Sequence, residues 1–230
     1  MDTTTETISL VKEQLASQLK AAIVAGRLRP GERVIEGAWA REFEVAQASV
    51  REAINLLIAE GFLVKSAGRS ARVPQYTQED IARMYEVRGA LEALAAQLAA
   101  EARGDMAPLE AALDRMAAAT VQGDVDELVE SDLAFHLALA KASGNAVLAD
   151  MLERLLRPLF TFILLRMRET HASTVGWAPD LPRHREMIYL IRESNPSLAG
   201  QFVQHCVGRF VKSAYAVWSP DTPAKPRKRS

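Results

Sequence analysis

The chain has 230 residues and a net charge of −1, with 49% apolar and 25% charged residues. These values are ordinary for a soluble globular protein of one large or two modest domains. No apolar run approaches the roughly 20 residues that span a bilayer, the N-terminus lacks the features of a secretory signal, and a single cysteine, Cys206, excludes an internal disulfide framework. The sequence therefore predicts a cytoplasmic protein without a membrane segment.

The small net charge hides an uneven distribution along the chain. Residues 1–75 carry 10 Lys/Arg against 9 Asp/Glu, residues 76–150 carry 5 against 14, and residues 151–230 carry 13 against 6. The acidic middle segment would repel the phosphates of a nucleic acid. A Pro-rich basic segment, residues 219–230, is predicted to be a disordered tail.

The pattern of the first part of the chain predicts three helices followed by a β-hairpin. Apolar residues recur at helical spacing over residues 8–23. Two shorter helices are predicted over Glu36–Phe43 and Gln47–Glu60. Extended segments at 62–64 and 71–73 flank a glycine-containing turn. This order is typical of a winged helix-turn-helix.

From Thr77 onwards the pattern is helical throughout, with no internal repeat and no phosphate-binding glycine loop. Helices are predicted at 77–103, 105–121, 124–142, 145–169, 180–193 and 196–217. The expected fold class is therefore mainly α, with two domains. A winged helix-turn-helix of three helices and a small β-hairpin occupies residues 1–75, and an all-α antiparallel bundle of about six helices occupies residues 76–218.

Candidate DNA-reading side chains lie in the third helix and near it. A recognition helix places its first turns in the major groove, where Gln47, Ser49 and Arg51 could reach base edges. Arg33 precedes the second helix, where the chain would approach the DNA backbone, and Arg69 lies at the tip of the predicted wing. Taken one at a time, these arginines are better explained as solvated surface charges, whereas the set as a whole favours DNA binding.

Four blocks in this region resemble, in order, the DNA-binding domain of the GntR regulators. They are Gly26-Arg-Leu-Arg-Pro-Gly-Glu-Arg33, Val50-Arg-Glu-Ala-Ile54, Leu57-Ile-Ala-Glu-Gly61 and Gly68-Arg69. The resemblance covers residues 9–73 and implies DNA contacts by Arg33, Arg51 and Arg69. The chain departs from the family at two positions: Ala46 replaces a capping serine, and Gln47 replaces a DNA-binding arginine. We therefore expect an operator that differs from those of arginine-bearing relatives.

Histidines and one aspartate in the second half could form a metal site. Asp132 and His136 are four residues apart on one helix face, and His184 and His205 lie on two later helices. One carboxylate and up to three imidazoles suit Zn²⁺, Ni²⁺ or Mn²⁺. Ordinary alternatives are a surface pair for Asp132 and His136, an exposed side chain for His184 and a satisfied interior histidine for His205.

Residues 77–217 resemble the FadR-type C-terminal ligand domain called FCD. The matching blocks are Tyr85-Glu-Val-Arg88, Asp132-Leu-Ala-Phe-His136, Ser143-Gly-Asn145, His184-Arg-Glu-Met-Ile188 and Gln204-His205. The resemblance implies that Asp132, His136, His184 and His205 ligate the metal. It also implies that Arg88 faces the effector cavity, where a guanidinium suits a carboxylate, and that Asn145 is a cavity contact. The alternatives are a salt bridge from Arg88 to Glu92 and a helix cap at Asn145.

Together these patterns predict a transcriptional regulator, expected to be a repressor, rather than an enzyme. A homodimer would bind a pseudo-palindromic operator in double-stranded DNA. A small organic acid held at the metal would control its DNA affinity. Two alternatives stay open: the metal ion itself is the signal, or the site is a metal enzyme that activates water, although no general base or nucleophile accompanies the candidate ligands.

Overall fold

The computed structural model describes residues 3–65, 70–170, 174, 180–193 and 195–218, and within these ranges it describes side chains from residue 12 to residue 209. The chain forms two compact units. The first contains the described residues up to 75 together with residues 157–165, and the second contains residues 76–156 and the described residues from 166 onwards. Within the described ranges, no helix is long and apolar enough to cross a membrane.

The first unit contains three helices and a small antiparallel sheet. Its elements are α1 (Thr3–Val24), β1 (Arg33–Val34), α2 (Glu36–Glu42), α3 (Gln47–Ala59), β2 (Val64–Lys65) and β3 (Ala71–Arg72). The strand order is β1-β3-β2, so the sheet has one strand more than the predicted hairpin. Pairing with β1 continues beyond the strands, because Gly31 donates its N–H to Val73 O and Val73 donates its N–H to Glu32 O. The positive φ of Gly31, +81°, allows the chain to turn there.

Apolar faces of α1 and α3 form the core of the first unit. Leu15, Leu19 and Ile23 follow each other at four-residue spacing on α1, and all three are buried. From α3, Val50 and Leu57 are fully buried in the same cluster. Each such aliphatic side chain stabilises the fold by about 1.5–3 kcal/mol on burial. This core holds α3 with its polar N-terminal residues facing outwards.

The second unit is a bundle of helices, which confirms the mainly α fold class. Its elements are α4 (Gln78–Ala102), α5 (Ala107–Gln122), α6 (Val125–Ala142), α7 (Ala146–Thr170), α8 (Leu181–Arg192) and α9 (Pro196–Trp218). The central residues of α7 belong to the first unit. Helix α4 packs along α9 and also contacts α6 and α8. Its buried face is rich in alanine, which allows close approach of the neighbouring helices.

Polar caps set where several of these helices begin. At α4, Thr77 accepts a hydrogen bond from the Asp80 N–H while the Asp80 carboxylate accepts one from the Thr77 N–H, a complete capping box. Asp124 accepts hydrogen bonds from two N–H groups in the first turn of α6. Asn195 does the same for one N–H of α9, just before Pro196 at its first position. These caps fix the registers in which α4 and α6 present their buried polar residues.

Candidate functional site

A buried polar cluster lies where α6 meets α8. Asp132 and His136 lie one turn apart on the buried face of α6, and His184 lies on α8. The Asp132 Oδ1 atom is 3.3 Å from His136 Nε2 and 3.2 Å from His184 Nε2. All three side chains are buried, and their candidate ligand atoms lie within 4.8 Å of one another. The structure therefore brings together three of the four residues predicted to bind a metal.

The orientation of each imidazole is set by what its Nδ1 atom meets. His184 Nδ1 lies 2.9 Å from the main-chain oxygen of Asp180, which can only accept a hydrogen bond, so Nδ1 carries the proton. The Nε2 atom of His184 therefore faces Asp132 Oδ1, 3.2 Å away. The Phe135 ring, 4.7 Å away and perpendicular, also holds this imidazole in place. His184 is thus oriented as a metal-binding histidine is.

Glu92 on α4 has the corresponding role beside His136. Its Oε2 atom is 3.0 Å from His136 Nδ1, and its Oε1 atom accepts a 2.7 Å hydrogen bond from Arg88 Nε. Glu92 and Arg88 are both buried, and the Arg88 guanidinium lies 5.1 Å from the centre of the Tyr85 ring. A carboxylate behind a histidine is the arrangement that orients metal ligands in many proteins. The alternative predicted for Arg88, an ion pair with Glu92, is therefore present.

The electrostatics of the cluster keep both carboxylates ionised. Burial alone would raise the pKa of Glu92, but Arg88 and His136 outweigh it and lower the pKa to about 2. Burial opposes ionisation of Asp132 in the same way, and His136 and His184 outweigh it, so its pKa also falls below the usual range. For His136, burial is the largest influence and lowers the pKa, but Glu92 and Asp132 together outweigh burial and Arg88, so the pKa is raised. Two buried anions thus face one guanidinium and two imidazoles.

Two predicted site residues lie outside this cluster. The buried face of α9 is formed by Ala199, Val203, Cys206 and Val207, and His205 lies on the opposite side of the helix with its side chain exposed. The structure therefore corrects the prediction that His205 is a metal ligand: His205 does not join the cluster. Asn145 is exposed, and its Oδ1 accepts a hydrogen bond from the Leu148 N–H at the start of α7, so it is the helix cap given as its alternative.

Sequence reasoning did not assign Glu92 to the site. Its signal was a charged residue on the alanine-rich face of a helix, four residues after Arg88. A carboxylate on such a face must be paired, because an unpaired buried charge is costly. The pair with Arg88 was foreseeable on that ground, whereas the contact with His136 required the packing of α4 on α6.

In the first unit, the predicted DNA-reading residues lie on its outer surface. Gln47 and Arg51 are exposed on one face of α3, Ser49 is half-buried beside them, and Arg33 is exposed on β1. Arg69 lies outside the described residues. Ala46 precedes α3 with an extended backbone and gives no side-chain cap, as its identity predicts. The first turns of α3 therefore offer polar groups of the kind that read a major groove.

The chain matches two families of known proteins. Residues 11–73 match the family described as "Bacterial regulatory proteins, gntR family", and residues 83–209 match the FCD domain. The HTH-type transcriptional regulator LutR of Bacillus subtilis (strain 168) is 32% identical over 163 residues, which are 63% of this chain and 72% of LutR. The gluconate operon transcriptional repressor of the same organism is 29% identical over 159 residues, 67% of this chain and 64% of the repressor.

A solved structure has the same fold. The putative transcriptional regulator GntR from Rhodococcus sp. RHA1 superimposes with a TM-score of 0.68 and 23% identity, covering 90% of this chain and 98% of that one. At this identity the likeness shows the fold alone.

A winged helix-turn-helix followed by a helical FCD domain defines a class of DNA-binding transcriptional regulators. The chain belongs to the GntR family of these regulators, and its helical unit is an FCD domain. The resemblance found in the sequence is therefore confirmed. The matched families and relatives are transcriptional regulators and not enzymes, which confirms the prediction that the chain is not an enzyme.

Proposed function

We propose that this protein is a repressor whose affinity for its operator is controlled by a small carboxylate bound at a metal site in the FCD domain. The observation that carries the proposal is the buried cluster of Asp132, His136 and His184, in which two imidazoles are oriented by partners behind them. Structural polar residues would instead be expected to satisfy one another. Here Asp132 Oδ1 and His184 Nε2 lie 3.2 Å apart in the interior, but among the described residues neither atom makes a well-directed hydrogen bond.

The donor set fits a divalent ion of intermediate softness. Asp132, His136 and His184 would hold it through one carboxylate oxygen and two imidazole nitrogens, which suits Zn²⁺, Ni²⁺ or Mn²⁺. When bound, such an ion supplies an electrophile for an oxygen of the effector. Three protein ligands leave coordination positions for an exogenous molecule, so the set is that of a ligand-accepting site rather than a closed structural one.

The charge balance of the cluster favours an anionic effector. Arg88 compensates Glu92 through their ion pair, which leaves Asp132 as the carboxylate not matched by a guanidinium. A divalent ion beside one carboxylate and neutral imidazoles leaves one positive charge. A carboxylate ligand would neutralise it, and a buried charge is costly unless it is compensated. Arg88 lies next to this site through Glu92, which contacts His136, and its planar guanidinium is the group that best suits a carboxylate.

The relatives support both the sign of the regulation and the class of effector. One of them is named as a repressor of a gluconate operon, and gluconate is a hydroxy acid with one carboxylate. We infer a small organic acid of this kind for the present chain.

An apolar stripe on α4 supports assembly as a homodimer. Val87, Leu91, Leu94 and Leu98 follow each other at spacings of four, three and four residues, on one face of the helix. Val87 is 52% exposed and Leu94 41% exposed, although both are large and apolar. A second copy of the chain covering this stripe would bring two winged units to one pseudo-palindromic operator. Within each unit, Arg33, Gln47, Ser49 and Arg51 would contact DNA.

The metal site is tested by a thermal-shift experiment on the full chain. A chelator should lower the melting temperature, and Zn²⁺, Ni²⁺ or Mn²⁺ should restore it, because a ligand that binds only the folded state stabilises it, by about 2.7 kcal/mol at 100 times its Kd. His184→Ala should abolish the metal response. His205→Ala, at an exposed histidine of the same bundle, should keep it and serves as the matched control. A full response in His184→Ala would exclude the proposed ligand set.

A further inference from the structure

Arg51, a candidate DNA-reading residue, is held by a carboxylate from the neighbouring helix. Glu36, the first residue of α2, accepts hydrogen bonds from Arg51 Nε to both of its oxygens, at 3.1 and 3.3 Å, and from Arg51 Nη2 at 2.8 Å. The Arg51 side chain is 59% exposed and that of Glu36 is 24% exposed. The pair therefore lies on the surface that carries the first turns of α3.

The edge of the guanidinium that Glu36 occupies decides what Arg51 can still bind. A guanidinium has a side edge, formed by Nε and one Nη, and an end edge, formed by the two Nη atoms. Glu36 takes the side edge. The end edge, directed away from the protein backbone, carries the parallel N–H groups that match guanine O6 and N7.

The same turn of α2 also borders Gln47. Gln47 and Arg51 are four residues apart on α3 and share one face. A Cβ atom placed on Gly37 would lie only 3.0 Å from Gln47 Nε2, so the glutamine amide lies against the backbone of Gly37. Arg51 and Gln47 thus contact consecutive residues of α2: Arg51 binds the Glu36 carboxylate, and Gln47 packs against the backbone of Gly37.

We infer that Glu36 is a positioning residue that orients Arg51 for recognition of a base, and that it thereby sets part of the operator specificity. This inference rests on the proposed role of Arg51 in DNA reading. An arginine already held in one rotamer loses less conformational freedom when it binds, and its end edge meets the base in a defined direction. A carboxylate that acted only through its charge would not add specificity. It would repel the phosphates and weaken binding to every duplex.

The test compares two duplexes, one enriched by the full-length protein from a random pool and one with its sequence scrambled. Fluorescence anisotropy at fixed salt gives the Kd of each duplex. The specificity ratio is the Kd of the scrambled duplex divided by the Kd of the enriched one. Glu36→Gln should lower this specificity ratio about two- to fivefold, the range of one exposed ion pair. Glu36→Asp keeps the charge but shortens the side chain, and it should lower the ratio as well. Glu42→Gln, which removes the exposed 2.7 Å pair of Glu42 with Arg27 at the other end of α2, should leave the ratio unchanged.

A double-mutant cycle separates positioning from charge. Lysine cannot bind Glu36 with one edge and a base with another, as a guanidinium can. Adding Glu36→Gln to an Arg51→Lys background should therefore change the specificity ratio no further. Tighter binding of both duplexes by Glu36→Gln with an unchanged ratio would overturn the inference, and so would equal behaviour of Glu36→Gln and Glu42→Gln. If Arg51→Lys alone keeps the wild-type ratio, the proposed reading role of Arg51 is itself wrong. Circular dichroism of each variant confirms that it is folded.

Discussion

Ala46 shows how a single residue can weaken the start of the helix proposed to read DNA. It lies at the cap position of α3 with φ −65° and ψ 145°, the extended backbone that a capping serine adopts, but its methyl group cannot accept a hydrogen bond. The departure from the family noted in the sequence therefore leaves the first N–H groups of α3 without a side-chain cap. The proposed recognition of DNA by Gln47 and Arg51 depends on this turn.

Restoring the cap should stabilise the protein. Ala46→Ser is expected to raise the free energy of unfolding by about 1 kcal/mol, because the serine hydroxyl can accept a hydrogen bond from an N–H of the first turn, which has no side-chain cap. Urea unfolding followed by circular dichroism measures the change. Ala48→Ser, an exposed position inside the first turn of the same helix, is the control and should give no gain. Equal stability of the two variants would show that the backbone at residue 46 does not act as a cap.

The histidines show what a sequence can and cannot assign at this scale. Asp132 and His136 could be paired from their four-residue spacing alone. His184 and His205 both matched family blocks, yet only His184 joins the cluster. The difference comes from helical phase: His205 falls opposite the buried stripe of α9, and a family motif gives the position of a residue along the helix but not how the helix is rotated in this chain. Burial had to be observed.

At the scale of elements, the helices were predictable because their local signals were strong. The predicted helix over 124–142 corresponds to α6, Val125–Ala142, which begins after the capping Asp124. The predicted starts of α4 and α9 likewise follow from Thr77 and Asn195. Strand β1 was missed because two residues are too short to show alternation, and it exists through pairing with β3, which is remote in the sequence. Contacts between elements, such as Glu92 with His136, were not predictable for the same reason.

The exposed stripe of α4 gives a prediction about assembly. Leu94→Glu should convert the proposed dimer to a monomer in sedimentation velocity, because a carboxylate would be buried against its symmetry mate without a partner. Binding to a two-half-site duplex should weaken with it. Val121→Glu is the matched control, since Val121 on α5 is 89% exposed and outside the stripe. A Leu94→Glu protein that remains dimeric would place the interface elsewhere.

At the scale of the whole molecule, one chain combines a unit that belongs to a DNA-binding family and a unit that contains a buried cluster of side chains able to hold a metal ion. Neither unit alone makes a switch. The proposed regulation requires that the effector bind one arrangement of the two DNA-binding units of a dimer more tightly than another, and the coupling is the difference between those binding free energies. By reciprocity, operator DNA must change the affinity for the effector by the same factor.

The most direct measurement is the Kd of the full-length protein for its selected duplex, with and without metal and a panel of small hydroxy acids that includes gluconate. A coupling of about 1–3 kcal/mol predicts a change in Kd of roughly 5- to 150-fold when metal and the correct acid are both present. The change should be lost in His184→Ala and retained in His205→Ala. A change produced by metal alone would make the ion the signal. An unchanged Kd with every combination, or the same change in His184→Ala, would contradict control of DNA binding through the buried cluster.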